Sequence, residues 1–186
     1  MDQPMRIVLL ATLVTALTSR APASSDGPAT ASAAPHTPAR RAFERIKRLA
    51  GDWEGKSTKG WEEKTTFKVI AGGSAVMYTS FDAHPGQTML TVFHMDGEHL
   101  MLTHYCVAKN QPRLRATEFS DDGNAVTFTF LDATNLASRD KGHMDQAVYR
   151  FDGEDKFTTK WTWYQSGEER WMEEIAMTRA AATNGK

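Results

Sequence analysis

Residues 144–164 read MDQAVYRFDGEDKFTTKWTWY, and the second half of that stretch decides the fold. From Lys156 onward, Phe157, Thr159, Trp161 and Trp163 fall on one face, whereas Lys156, Thr158, Lys160 and Thr162 fall on the other. A period of two is the signature of a strand with one buried face, so the aromatic set points inward. The Asp152-Gly153 pair just before it is a hairpin signal, because a type I′ turn needs positive φ at both central residues.

The same rhythm runs outward in both directions. It predicts strands near 52–58, 62–70, 75–82, 88–95, 98–106, 113–119, 124–131, 144–151, 155–164 and 170–179, separated by turn pairs such as Lys59-Gly60, Asp96-Gly97 and Ser166-Gly167. Links this short join antiparallel neighbours, since a parallel crossover needs a dozen or more residues. About ten strands with no helix between them predict an all-β fold, an antiparallel up-and-down barrel that closes on itself and so removes its edges. In 124–131, Val126, Phe128 and Phe130 form the inward face, and in 98–106 that face is assigned to Leu100, Leu102, His104 and Cys106. One connection is long, 132–143 (DATNLASRDKGH), the length at which a loop becomes a candidate lid or portal.

Before the first strand the period is 3.6. Thr37-Pro38 reads as an N-cap with proline at the first helical position, and Ala39, Ala42, Phe43, Ile46, Leu49 and Ala50 make one apolar face up to a stop at Gly51. The opposite face carries Arg40, Arg41, Glu44, Arg45, Lys47 and Arg48, read as the solvated side of a helix packed over one barrel end. Farther upstream, Arg6 and the apolar run Ile7–Leu17 lead to Ala21-Pro22-Ala23, the pattern of a secretory signal peptide, too short to span a bilayer. The expected organisation is therefore a signal peptide at 1–23, a linker at 24–37, the barrel domain at 38–180 and a tail at 181–186. That implies a periplasmic or secreted protein without stable membrane insertion once the signal is cleaved.

Charge and cysteine usage exclude several function classes. With 22 basic and 23 acidic residues among 186, the net charge of −1 lacks the footprint of a nucleic-acid binder. A lone cysteine, Cys106, rules out an intrachain disulfide and a multi-thiolate metal site. His94, His99, His104, His143, Asp96 and Asp145 show no compact metal-ligand spacing, so no metal is expected.

Several residues are candidates for a site. Trp161, Trp163, Phe157 and Phe128 would wall an apolar cavity, which is the usual lining of a small-molecule pocket. His104, Gln111, Arg113 and His143 would orient a polar head, with the long loop gating access. Arg113 and Arg115 share a face: inward they would need a carboxylate such as Glu173 or a ligand's anionic group, and outward they leave Leu114 and Ala116 to pack. His104 and Cys106 lie two apart on one strand, ~6.6 Å along the chain. That spacing allows an enzyme with His104 as acid/base, assisted by Arg113 or Tyr105, or a thiolate at Cys106, whose alternative is a small buried hydrophobe.

A helix followed by Gly51-x-Trp53 and a train of antiparallel strands resembles the calycin-like barrels: lipocalins, fatty-acid-binding proteins and nitrobindin-type domains. His104-Tyr105-Cys106, Asn110-Gln111-Pro112-Arg113, and Thr134-Asn135-Leu136 leading to Gly142-His143-Met144 are similar to the pattern of small exported bacterial proteins in that superfamily. The resemblance implies a lipocalin-like barrel that binds a small apolar or amphipathic ligand without a cofactor. Gly51, Trp53 and Gly55 match the nitrobindin-type start, which implies haem as the alternative, with His104 or His143 as axial ligand; the chain then departs from that pattern at Lys56-Ser57-Thr58.

Overall fold

The computed structural model describes residues 37–80 and 87–181. The expected signal peptide, the linker up to 36 and the tail from 182 lie outside the described residues, as does the end of the strand expected at 75–82.

One helix precedes ten strands: α1 (Pro38–Arg48), β1 (Gly51–Ser57), β2 (Glu62–Ile70), β3 (Ala75–Ser80), β4 (Met89–Asp96), β5 (His99–Tyr105), β6 (Gln111–Phe119), β7 (Ala125–Thr134), β8 (His143–Phe151), β9 (Lys156–Gln165) and β10 (Glu168–Arg179). Each strand pairs antiparallel with the next, and β1 pairs with β10 through Trp53↔Arg179 to Ser57↔Ile175, so the sheet is a closed barrel. Closure leaves no exposed ladder of unpaired N–H and C=O groups. Among the described residues no helix is long and apolar enough to cross a membrane.

The helix begins as its sequence dictates. Thr37 Oγ1 accepts from Arg40 N (3.3 Å), and Pro38 takes the first position, where its missing N–H costs nothing. It ends earlier than expected: Leu49, not Gly51, is the C-cap, and Gly51 already belongs to β1 with φ 126°. Ala39, Ala42, Phe43 and Ile46 are buried, and α1 touches β2, β4, β5 and β6 on different sides of the barrel, so it covers one end.

At that end the chain is latched. Trp53 Nε1 donates to Leu49 O (2.7 Å), and the Arg179 guanidinium lies 4.3 Å over the Trp53 ring. Arg179 also donates to the carbonyls of Ala50 (3.0 Å), Arg48 (3.1 Å) and Glu154 (2.9 Å), and through Nε to Asp155 (2.8 Å). A residue from the last strand thereby serves carbonyls at the C-terminal end of the helix, where no further turn follows to bond them. The close approach needs a glycine nearby: a Cβ on Gly55 would lie 2.6 Å from Ala176 O and collide with Met177.

Other details differ from the sequence reading for local reasons. Asp96 pairs with His99, so the central residues of that turn are Gly97 and Glu98, and only Gly97 takes positive φ (56°). The loop after β7 is shorter than 132–143, because Asp132, Ala133 and Thr134 pair with Arg113, Pro112 and Gln111. Cys106 lies past the end of β5 in a turn closed by Lys109 N to Cys106 O (3.0 Å), so it does not share a strand face with His104.

Candidate functional site

Because neighbouring strands alternate in direction, the inward residues at the ends of β1, β3 and β5 and at the starts of β2, β4 and β10 all lie at the barrel end opposite α1. Near α1 the inward side chains are Trp53, Phe67, Val76, Leu100, Val126, Phe157 and Met177, all buried. At the distal end they are Ser57, Glu63, Ser80, Met89, Thr91, His104 and Glu173, again all buried. The interior thus changes from aromatic to polar along its axis.

A continuous run of rings connects the two halves. Trp53 packs edge-on against Phe157 (4.7 Å), Phe157 against Phe67 (5.5 Å), and Phe67 stacks on Tyr78 (4.6 Å). Tyr78 meets Tyr149 (6.4 Å), Tyr149 meets Trp161 (6.3 Å), and Trp161 meets the His104 imidazole (4.9 Å). Phe128 joins this core through Phe93 (5.9 Å) and Tyr149 (6.1 Å). Phe157 and Phe128, expected as cavity walls, are here filled-core side chains, whereas Trp161 reaches the polar half.

His104 is the distinctive group of that half. Only 3% exposed, it shares a hydrogen bond between Nδ1 and Thr91 Oγ1 (2.9 Å), while its Nε2 is buried with no partner among the described residues. Burial disfavours the imidazolium and pushes its pKa down from 6.5 to about 4, so the ring is neutral near pH 7. Depending on tautomer, Nε2 presents a lone pair or an N–H, and either is costly to leave unmet. The indole N–H of Trp61, in the β1–β2 turn at the same end, and the Thr159 hydroxyl, midway along β9, are also buried without a partner among the described residues. Ser57 Oγ donates to Glu173 Oε2 (2.5 Å), and Glu63 and Glu173 are 1% and 2% exposed.

The remaining candidates fall elsewhere. Arg113 projects outward, its side chain 51% exposed, and donates to Asp132 through Nε (2.6 Å) and a second nitrogen. That pair holds the Asp132 carboxyl below its ordinary range, so an interior anion anchor at Arg113 has no geometric support. Leu114, the neighbour that packs inward, sets the phase. Gln111 is engaged at the rim, where its Oε1 accepts from Thr134 (2.6 Å) and Asn135 (3.1 Å). Tyr105 is exposed. Neither assistant assigned to His104 in an enzyme, Arg113 or Tyr105, therefore faces the interior with it.

His143 belongs to a separate rim cluster. Arg139, on the loop between β7 and β8, is sandwiched between the Phe130 ring (4.4 Å) and the Tyr164 ring (4.2 Å), and hydrogen-bonds His143 Nε2 and Asp145. His143 Nδ1 meets Lys141 O (2.5 Å), so both ring nitrogens are taken. Asn110 Nδ2 donates to Gly142 O (2.8 Å), and half-buried Trp163 packs against Gly142 where any side chain would collide. The loop expected to gate access is thus strapped to the rim. Among the described residues no group of three or more His, Cys, Asp or Glu is placed to hold a metal ion. With His143 fully engaged, a haem would depend on His104 alone, whose ring already lies against Trp161.

Sequence reading missed Glu63 and Thr91 and gave Glu173 only as a partner for an inward arginine. A signal for the glutamates existed: counting back by twos from Phe67 reaches Thr65 and Glu63, and from Met177 reaches Ile175 and Glu173.

No family model matches the sequence, and no curated protein matches it. Among solved structures, the chain is similar to a protein of unknown function from the DUF3598 family of Nostoc punctiforme, with TM-score 0.49 and 11% identity over 73% of this chain and 49% of that one. It spans about half the length of that structure. The closed antiparallel barrel of ten strands is the architecture that the sequence predicts.

Proposed function

We propose that the chain is an exported ligand-binding barrel that holds a small amphipathic molecule in the polar half of its interior, opposite α1. The observation that carries this reading is His104: a neutral, buried imidazole with an unmet Nε2, set against the Trp161 ring. An orphaned buried polar atom costs about 1–3 kcal/mol, and a ligand that supplies its partner recovers that cost on binding. Trp161 offers an apolar face and the His104–Thr91 pair a polar one, the combination that fixes an amphipathic molecule in one orientation.

Titration of the purified chain with apolar and amphipathic compounds, followed by tryptophan emission, tests this reading. The expected result is a saturable change that Trp161→Phe diminishes and His104→Leu weakens at least tenfold. No response from any compound, together with no retained ligand in native mass spectrometry of protein purified from its own host, would remove it. A Soret band on adding haem, abolished in His104→Leu, would replace it with the haem reading.

A further inference from the structure

We infer that the loop between β7 and β8 is an acid-released latch on the distal rim: a proton taken up by His143 evicts Arg139 from its seat and frees the loop, while the barrel itself stays closed. The inference concerns the loop alone and stands whether or not the interior holds a ligand. The first ground is the matching of donors and acceptors. A guanidinium donates and never accepts, so the His143 Nε2 that meets Arg139 carries a lone pair and no proton. The ring proton is then on Nδ1, which donates it to Lys141 O (2.5 Å). These two partners fix His143 as the neutral Nδ1–H tautomer. A second proton can go only to Nε2, where it turns an acceptor into a donor aimed at Arg139 and sets two cations in contact.

The second ground is that each partner has a second place to go. Asp145 Oδ1 lies 3.4 Å from Nε2, within a small shift of accepting the new N–H. The same oxygen holds Arg139, so a protonated ring competes with Arg139 for it. His143 is fully buried, whereas the Arg139 side chain is 46% exposed and passes into water without crossing the core. Around the imidazole stand Asp145 from β8, the Phe130 ring from β7 (4.6 Å), the Tyr164 phenol ring from β9 (5.4 Å), and Arg139, Asp140 and Lys141 from the loop. Asp140 and Lys141 pair with each other (3.8 Å), which leaves Arg139 and Asp145 to set the balance. Once Arg139 leaves, its two ring contacts go with it, and the loop keeps the neutral bonds from Asn110 Nδ2 to Gly142 O and from Ser166 N to Asp140 O. The released arrangement binds the proton that the seated one refuses, so falling pH shifts the population toward release.

Hydrogen–deuterium exchange of the purified full chain, corrected for the intrinsic pH dependence of exchange, tests this between about pH 7.5 and about pH 5.5. Loop amides, among them Lys141 N–H bonded to Ser138 O, should lose protection by about tenfold or more, with a smaller loss in β4 and β5. His143→Gln keeps an acceptor for Arg139 but takes up no proton, and its loop should lose less than about threefold. Wild-type protection that does not change, or that falls equally in loop and strands, overturns the inference, as does an equal loss in His143→Gln. If His143→Gln does not fold, nitrogen NMR of the wild-type imidazole decides. An Nδ1–H ring at neutral pH that becomes doubly protonated as the loop opens is the expected result, and an Nε2–H ring at neutral pH overturns the inference.

Discussion

Acidification should destabilise this barrel through one side chain. In the unfolded chain His104 takes a proton near its ordinary pKa of 6.5, but in the folded barrel burial defers protonation to about 4. Below pH 6.5 the unfolded state therefore binds a proton that the native state refuses, and stability falls until the native imidazole also titrates. Its contribution is fully present above about pH 6.5 and lost as pH drops toward about 4. At ~1.36 kcal/mol per pKa unit, the total is about 3 kcal/mol, with about 2 kcal/mol gone by pH 5. Urea unfolding of wild type and His104→Gln between about pH 7.5 and about pH 4.5 isolates the effect, because the other titrating groups are common to both. With a urea m-value of about 1–3 kcal/mol/M, the wild-type midpoint should fall by about 1 M more than the variant's on going from pH 7 to pH 5. Parallel midpoint curves would mean that His104 is not buried as a neutral ring, and the reasoning about its Nε2 would go with them.

Other expectations follow from the same contacts. Replacing both members of the buried hydrogen bond, Thr91→Val with His104→Leu, should change stability by no more than about 1–2 kcal/mol in either direction, because an orphaned nitrogen leaves with the bond; a larger loss in urea unfolding would show that Nε2 has a structural partner. Gly55→Ala drives a methyl toward Ala176 O and Met177, where a backbone carbonyl cannot yield, and should cost about 2–3 kcal/mol in a thermal melt. Arg179→Lys keeps the charge but cannot serve three carbonyls, Asp155 and the Trp53 face together, so it should lose nearly as much stability as Arg179→Ala, about 2–3 kcal/mol. Arg139→Ala should make the loop between β7 and β8 an early site of limited proteolysis, and cleavage no faster than in wild type would refute the strap.

Strand positions were legible because alternation and turn residues are local properties; β2, for example, spans the predicted 62–70. What escaped were features that break the period. Bulges between Arg113 and Leu114 and between Met144 and Gln146 insert a residue and change the phase, so the length of β7 and the burial of His143, Met144 and Asp145 in succession could not be counted from either side. The inward Glu63 and Glu173 were hidden for another reason: a general preference for exposed carboxylates outweighs a phase argument unless the phase is followed through. His104 was placed correctly by phase from Leu100 and Leu102, but its open nitrogen depends on side chains from β4 and β9 that no local pattern relates to β5.

The two ends of the barrel answer different demands, and the chemistry of each follows from what it can afford to leave unsatisfied. Near α1, the Trp53 indole N–H and the Arg179 guanidinium all find acceptors, and the rings from Trp53 to Tyr78 exclude water by packing on one another. Each such ring, fully buried, contributes about 1.5–3 kcal/mol, the same size as the cost of one orphaned polar atom. One well-packed ring at the helix end can thus offset His104 Nε2 at the other, and a residue that weakens the fold locally persists because distant packing compensates. Damage should divide along the same axis: substitutions among Trp53, Gly55 and Arg179 lower stability while folded protein still binds, whereas the paired substitution of Thr91 and His104 lowers binding while the melt moves little.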